Sequence, residues 1–478
     1  MLDQQNFSSF VMGDWIAPSH PSRAVCSAIT GQELGSVGGD LDLSGMRDYA
    51  KTYGGPGLRE LNFHDRARML KALALHLKLH RKALYQLSFE TGATLADSKI
   101  DIDGGIATLL VYASKGRREM PEDFILPDGE LELLSRDGSF LGQHVYTPLR
   151  GVAVQINAFN FPVWGMLEKL APSLLAGVPS VIKPATSTGY VTQAVVRHML
   201  GSGILPRGAI QLIMGGTGNL LDILDCQDTV GFTGSAATAL ALRATPNILK
   251  NGVRFTAEQD SLNGSILGSD VAPGSAEFDL FVTEVHREMT TKAGQKCTAI
   301  RRIMVPEAHM EAVQTALKAR LCATKIGHPA LADTQMGALV SLDQRLDVRA
   351  QAQLLGKECD LVFGGEDRCQ VEGADAETGA FLAPMLFVCA DPDHAVAVHE
   401  VEAFGPVATL MPYRDIAHGI ELLNRGDGSL VASVITHDPA IARQVVLGAG
   451  AFHGRLYFND RVSQAESTGH GSPLPHMV

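Results

Sequence analysis

Cys297 stands in the string Gly294-Gln295-Lys296-Cys297-Thr298, with the strand-like run Arg301 to Pro306 directly behind it. A cysteine between an irregular Gly-containing segment and a basic-edged strand can present its sulfur to a cleft, where Lys296, Arg301 and backbone N–H groups would favour the thiolate. The opposing reading, a small apolar core cysteine, is equally open on these residues alone. Glu258 follows the strand-like run 253–257 and is either a structurally paired carboxylate or a tuned base. Asn160, in Phe159-Asn160-Phe161-Pro162, is either a helix N-cap or an amide aimed at a developing oxyanion. In Phe232-Thr233-Gly234-Ser235 a strand hands over to a helix, so Gly234 and the free N–H groups near Ser235 suit a phosphate, although many turns in α/β proteins look similar. Lys183, in Lys183-Pro184-Ala185-Thr186, is either a solvated strand-end lysine or a reach toward ribose or phosphate. No G-x-G-x-x-G string with a strand before it and a helix after it is present.

The elements that must position these residues alternate. A helix is expected over 63–87, with Met69, Leu70, Ala72, Leu73, Leu75 and Leu77 on one broad apolar face, and a second over 104–115. Residues 7–50 read as an irregular or two-stranded opening. Arg136-Asp137-Gly138-Ser139, flanked by apolar residues, marks a hairpin within 130–147, either a surface ribbon or a strip that pairs with another subunit. From 151 onward, strands at 152–156, 180–183, 209–213 and 229–232 alternate with helices at 161–176, 191–200, 220–224 and 236–244. The alternation restarts near 260, with strands at 265–267, 302–305, 361–363 and 407–410 and helices at 277–290, 309–323 and 342–355. Largely apolar strands joined by helices imply α/β architecture, with parallel sheets covered on both faces.

Bulk properties narrow the ligands. At 478 residues the chain should form two or three domains. Its formal charge of -12 disfavours nucleic acid and anionic membrane, both of which need a basic footprint. The polar, acidic amino terminus lacks a secretory pattern, and no run approaches the ~20 apolar residues that span a bilayer, so a cytoplasmic location is expected. The 7 cysteines are scattered without a C-x-x-C pair, which suggests neither disulfides nor zinc. His76 and His80 lack the other residues of a metal motif, and no metal is expected.

Taken in order, F-N-F-P, K-P-A, F-T-G-S, Glu258, G-Q-K-C and Glu402-Ala403-Phe404-Gly405-Pro406 resemble the aldehyde dehydrogenase superfamily, from Gly13-Asp14-Trp15 almost to the chain's end. The resemblance implies two Rossmann-like domains with parallel sheets and a small β oligomerisation hairpin: 1–129 with 149–259 binding NADP, 130–148 the hairpin, 260–460 catalytic, and 461–478 a C-terminal tail. It implies that Cys297 attacks an aldehyde carbon, that Asn160 and the Cys297 N–H hold the oxyanion, and that Glu258 activates the water that cleaves the thioester. Phe159, Lys183, Thr186, Phe232, Gly234, Ser235, Glu402 and Phe404 are the implied cofactor residues. Thr186 stands where many NAD-dependent members carry Glu, so NADP is expected, with NAD the alternative.

Further variants, Glu258-Gln259-Asp260-Ser261-Leu262-Asn263, Ala239, Glu168-Lys169 and the string from Glu466 to Pro475, resemble the dehydrogenase portion of the ring-opening enzymes of phenylacetate degradation. They imply 3-oxo-5,6-dehydrosuberyl-CoA semialdehyde as substrate, with 3,4-dehydroadipyl-CoA semialdehyde of benzoate degradation as the alternative. The same resemblance implies a homodimer or higher homo-oligomer and a C-terminal extension beyond Val478. Glu168 and Lys169, adjacent in a helix, are not expected to pair. A CoA-acylating reductase would need no water-activating Glu258, and a non-enzymatic binding protein on this fold would need none of the set.

Overall fold

A computed structural model describes residues 5–20, 23–365 and 369–471, with side chains described from residue 7. The last residues of the string ending at Pro475, and the rest of the expected tail, lie outside them. The chain divides into two compact units, one of 1–26, 33–88 and 98–259, the other of 27–32, 89–97 and 260–478.

In the first unit, five parallel strands lie in the order Arg254–Glu258, Thr229–Thr233, Ala153–Ile156, Ser180–Lys183, Ile210–Leu212. The chain builds outward from Ala153–Ile156 in one direction and then returns to the other side of it. That leaves a topological switch point between Ala153–Ile156 and Thr229–Thr233, where the carboxyl ends of such strands form a crevice. Apolar side chains fill both faces of this sheet. Leu70, Leu73 and Leu77 of the helix Phe63–Ser88 pack with Leu167 and Leu170 on one side, and Val154, Val181 and Val230 face the other cluster.

The second unit carries seven strands in the order Asp360–Phe363, Met385–Val388, Val407–Tyr413, Arg302–Pro306, Gly264–Leu267, Ala432–Ile435, Leu456–Asn459. All pairs are parallel except the first. The α/β class and the parallel sheets agree with the sequence reading. The strands Met385–Val388, Ala432–Ile435 and Leu456–Asn459 were not anticipated, since they are short and two contain small or half-buried residues without a clean period.

Three local differences have physical causes. The opening segment holds two structures rather than one. Ser9–Val11 and Asp14–Ile16 form a hairpin whose two turn residues, Met12 and Gly13, both have positive φ, and the hairpin extends the first sheet antiparallel. Arg23–Cys26, Glu33–Val37 and Gln5–Asn6 make a separate small sheet. The second long helix runs Leu95–Arg118 rather than 104–115. Gly104 and Gly105 look like a helix start but sit inside, where the Trp164 ring leaves no room for a Cβ. The following helix starts at Trp164, later than expected, because the Asp101 carboxylate accepts from the Val163 and Trp164 N–H groups and supplies the cap from another helix.

The expected hairpin is present as Leu126–Leu133 and Leu141–Tyr146, antiparallel. Asp137 closes its loop by accepting from the Ser139 N–H and from the Ser135 and Ser139 hydroxyls, which holds its carboxyl down at about 2. Leu131, Leu133, Leu134, Phe140 and Tyr146 stand exposed along it.

A Cβ at Gly104 would lie 2.5 Å from the Trp164 ring, whereas one at Gly201, the last residue of the helix Gly189–Gly201, would meet nothing within 4 Å. Gly104→Ala should therefore cost about 1–3 kcal/mol through overpacking. Gly201→Ala should stabilise by about 0.5–1 kcal/mol through chain entropy. Denaturant unfolding of the two variants checks the opposite signs.

Candidate functional site

The predicted residues fall into two groups, one on each unit. In the first unit the register sets Thr233 beside Glu258 and Ile156 beside Lys183, so Glu258, Thr233, the loop carrying Phe159 and Asn160, and Lys183 follow one another along the carboxyl ends of neighbouring strands. Glu258 is half-buried at the end of its strand, and its carbonyl accepts from the Gly234 N–H at 3.1 Å. Gly234 is required there: a Cβ would sit 2.6 Å from the Phe232 ring, which folds back beneath it. Ser235 caps the helix Ala236–Arg243, its Oγ accepting from the Thr238 N–H. Asn160 is nearly buried and lies ahead of the helix whose cap Asp101 provides, so capping does not explain it. The Phe159 carbonyl accepts from the Thr188 hydroxyl at 3.1 Å, and Thr186 lies half-buried in the turn before Thr188.

Two features mark this edge as a place for a polar ligand. Both amide atoms of Asn157 and the Thr233 hydroxyl are buried with no hydrogen-bond partner among the described residues, a demand that a ligand or water would meet. Lys183 is held below the usual amine range by burial and then by the positive charge of Arg23, which reaches it from another sheet. Asn157, Thr233 as a side chain, and Arg23 were missed in the sequence. Thr233 lay inside a quoted motif; Arg23, far off in the chain, left no signal.

Glu168 and Lys169 correct an expectation, for the Lys169 ammonium lies 3.1 Å from the Glu168 carboxylate and also donates to the Gly165 carbonyl. Adjacent helical residues diverge at Cβ, but both chains are long and half-buried and bend back to meet. Burial raises the Glu168 carboxyl, Lys169 opposes this, and the nearby charge of Glu258 adds to it.

In the second unit Cys297 is half-buried in a loop just before the strand Arg302–Pro306. Asn263 and Glu402 likewise precede the strands Gly264–Leu267 and Val407–Tyr413, so this group gathers at the amino ends of parallel strands. The loop is approached through three consecutive left-handed residues, Lys292, Ala293 and Gly294, at φ 55, 51 and 70. For Lys292 and Ala293 this costs of order 1–3 kcal/mol each and persists only where the surroundings fix it. Asp97 accepts the Lys292 N–H, the Gln295 amide donates to the Lys292 carbonyl and accepts from Val340 N–H, and Gly294 packs so closely that a Cβ would lie 2.1 Å from the Gly405 carbonyl oxygen.

Buried polar groups then fix the loop itself. The Asn263 amide donates to the carbonyls of Cys297 (2.8 Å) and Ala299 (3.1 Å) and accepts from the Val431 N–H and the Ser261 hydroxyl. His470 bonds the Thr298 carbonyl at 2.9 Å through Nε2, which must therefore carry the proton. Lys296 is not the free cation the sequence suggested, since its ammonium lies 2.6 Å from the buried Glu288 carboxylate. Burial pushes the Arg301 guanidinium down, and Glu402 and then Cys297 oppose this. Glu402 accepts from Ser261 N–H at 2.9 Å and from Arg301 Nε at 3.3 Å; burial raises its carboxyl while Arg301 opposes. The Phe404 ring lies 5.4 Å from the Arg301 guanidinium carbon. Asn263 was read in sequence only as a departure from a motif.

Among the described residues no cluster of His, Cys, Asp or Glu could hold a metal, and no helix is long and apolar enough to cross a membrane.

The Aldehyde dehydrogenase family model matches residues 15–471. The chain is 42% identical over 470 residues to the 3,4-dehydroadipyl-CoA semialdehyde dehydrogenase of Aromatoleum evansii, covering 98% of this chain and 91% of that protein. It is 26% identical over 463 residues to the betaine aldehyde dehydrogenase of Bacillus subtilis, covering 94% and 89%. A betaine aldehyde dehydrogenase of Staphylococcus aureus solved in complex with NAD+ superposes with a TM-score of 0.84 at 25% identity, covering 95% of this chain and 87% of that one.

Burial holds His470 down at about 4, and its Nδ1 has no partner among the described residues. Between about 4 and the ordinary value near 6.5 the unfolded chain binds a proton that the folded one refuses. Stability is therefore lost as pH falls from about 6.5 and the loss levels off below about 4. Between pH 7 and pH 5 this histidine should cost about 1–2 kcal/mol. His470→Gln should lose that share of the acid sensitivity, read as a shallower fall of unfolding free energy over this range.

Proposed function

The chain belongs to the aldehyde dehydrogenase family, and from that premise we propose that it oxidises a CoA-linked semialdehyde to the acid, with 3,4-dehydroadipyl-CoA semialdehyde as the favoured substrate. The observation that carries this reading is the 42% identity, over 98% of the chain, to a relative of that name. The phenylacetate-derived semialdehyde, which the variant motifs suggested first, has the weaker support and becomes the second choice.

The enzyme is an NAD(P)-dependent aldehyde dehydrogenase, and a nicotinamide bound to it supplies the hydride acceptor. The residues present fit such a cofactor: a glycine that lets the backbone lie against the buried Phe232 ring, unpartnered polar atoms on Asn157 and Thr233, and Lys183 within the positive field of Arg23. In the proposal, residues 1–129 and 149–259 hold the dinucleotide. Phe159, Lys183, Thr186, Phe232, Gly234 and Ser235 line it, and Glu402, with Phe404 behind it, binds ribose hydroxyls. Thr186 places no carboxylate against a 2'-phosphate, and Lys183 with Arg23 would attract one, which favours NADP over NAD. The exposed apolar side chains of the 126–146 hairpin support the homo-oligomer reading.

Residues 260–460 carry the nucleophile. Cys297 Sγ attacks the aldehyde carbon, and the resulting oxyanion accepts from the Cys297 N–H and the Asn160 amide. Loss of hydride from that carbon leaves a thioester on Cys297. Glu258 then takes a proton from water, whose oxygen attacks the thioester; the acid leaves and the thiol is restored. Glu258 separates this hydrolytic course from transfer of the acyl group to CoA.

Cys297→Ala should abolish reduced-nicotinamide formation. Glu258→Gln should give a burst of about one reduced nicotinamide per site and then stall, because acylation survives and hydrolysis does not. With the CoA-linked semialdehyde, kcat/KM should be at least tenfold higher for NADP than for NAD. Steady turnover in either variant removes the corresponding role, and equal use of both cofactors removes the 2'-phosphate argument.

A further inference from the structure

Arg301 joins two pieces of chain to which the proposed chemistry gives separate roles. Its side chain is 4% exposed. Nε donates to Glu402 Oε1 at 3.3 Å, Nη1 to the Gly405 carbonyl at 2.7 Å, and Nη2 to the carbonyls of Gly294 at 2.9 Å and Lys296 at 3.3 Å, while Phe404 packs against the cationic face. One rigid, planar fork therefore touches the segment just ahead of Cys297 and the segment 402–405 together. No single-point ammonium could reproduce that spread.

The contact to Lys296 acts on the nucleophile's own backbone. A trans peptide is planar, with N–H and C=O pointing opposite ways. Holding the Lys296 carbonyl toward Arg301 turns the Cys297 N–H away from the guanidinium, while Asn263 holds the next carbonyl, that of Cys297, from another direction. The Gly294 contact secures the end of the left-handed run. The same guanidinium fixes one oxygen of Glu402, whose other oxygen is held by Ser261 N–H. Glu402 and the Cys297 loop thus share a partner.

We propose that Arg301 is a positioning residue that couples the Glu402 carboxylate to the Cys297 loop, so that a change at Glu402 alters how the Cys297 thiol and N–H are presented. The inference rests on the proposed roles of Cys297 and Glu402. It adds a link between them.

The test uses the full chain and its Arg301→Lys, Glu402→Gln and doubly substituted variants, with no nicotinamide present. Alkylation of Cys297 by iodoacetamide is followed against pH, peptide by peptide, because Cys26, Cys226 and Cys322 are more exposed than the half-buried Cys297. Melting temperatures and the burst rate with aldehyde and NADP are measured alongside. Coupling predicts at least a threefold change in Cys297 alkylation in each single variant, no further change in the double variant, and a burst at least tenfold slower for Arg301→Lys. Unchanged Cys297 alkylation in Glu402→Gln overturns the proposal, as does an Arg301→Lys protein that melts lower yet keeps its alkylation profile and burst rate. Should Arg301→Lys fail to fold, the Glu402→Gln result alone decides. Activity retained by Cys297→Ala would instead overturn the reading beneath it.

Discussion

The second unit depends on holding an unfavourable backbone still. Two residues with side chains, Lys292 and Ala293, and then Gly294 run left-handed immediately before Gln295-Lys296-Cys297. Left alone, such a segment would relax. It is kept by polar groups that are themselves buried, namely Asp97, Asn263, Gln295 and Arg301, together with the Lys296–Glu288 pair. Each of these groups would be costly without its partner, so strain in the loop and satisfaction of the buried groups stabilise one another. A cysteine on a freely moving loop could react, but its N–H could not be held ready for charge that develops later.

The two units carry their candidate site residues at opposite ends of their sheets. In the first, Glu258, Thr233 and Lys183 stand at carboxyl ends of parallel strands, beside a switch point, as in open α/β sheets generally. In the second, Asn263, Cys297 and Glu402 precede their strands. Glycines allow close approaches in both groups: Gly234 over the Phe232 ring and Gly294 against Gly405 each permit a backbone approach that a Cβ would block. The motif glycines therefore have packing reasons as well as conformational ones.

Much of the fold was legible because its signals are local. The apolar face from Met69 to Leu77, the Asp137-Gly138 turn and the strand-helix alternation after residue 151 all lie within short windows, and the structure places elements there. What was not legible depended on distant partners. Gly104 reads as a break until the Trp164 ring fills the space above it; Asp101 gives no sign in sequence that it will cap a helix starting at Trp164. Lys296 looked like a cation available to Cys297, and only the fold brings Glu288 within 2.6 Å of it. The family-like motifs named the residues quoted for the site, whereas Asn263, which grips the Cys297 carbonyl, showed itself only as a departure from a familiar string.

In the proposed reaction Cys297 carries the acyl group. The most direct measurement is the mass of the protein and of its Cys297 peptide, quenched in acid within the first turnover with a CoA-linked semialdehyde and NADP. An acyl adduct on Cys297 is expected, in an amount that matches the reduced nicotinamide formed, and it should decay as the acid product appears. Reduced nicotinamide without an adduct on that peptide, or an adduct on another cysteine, would contradict it.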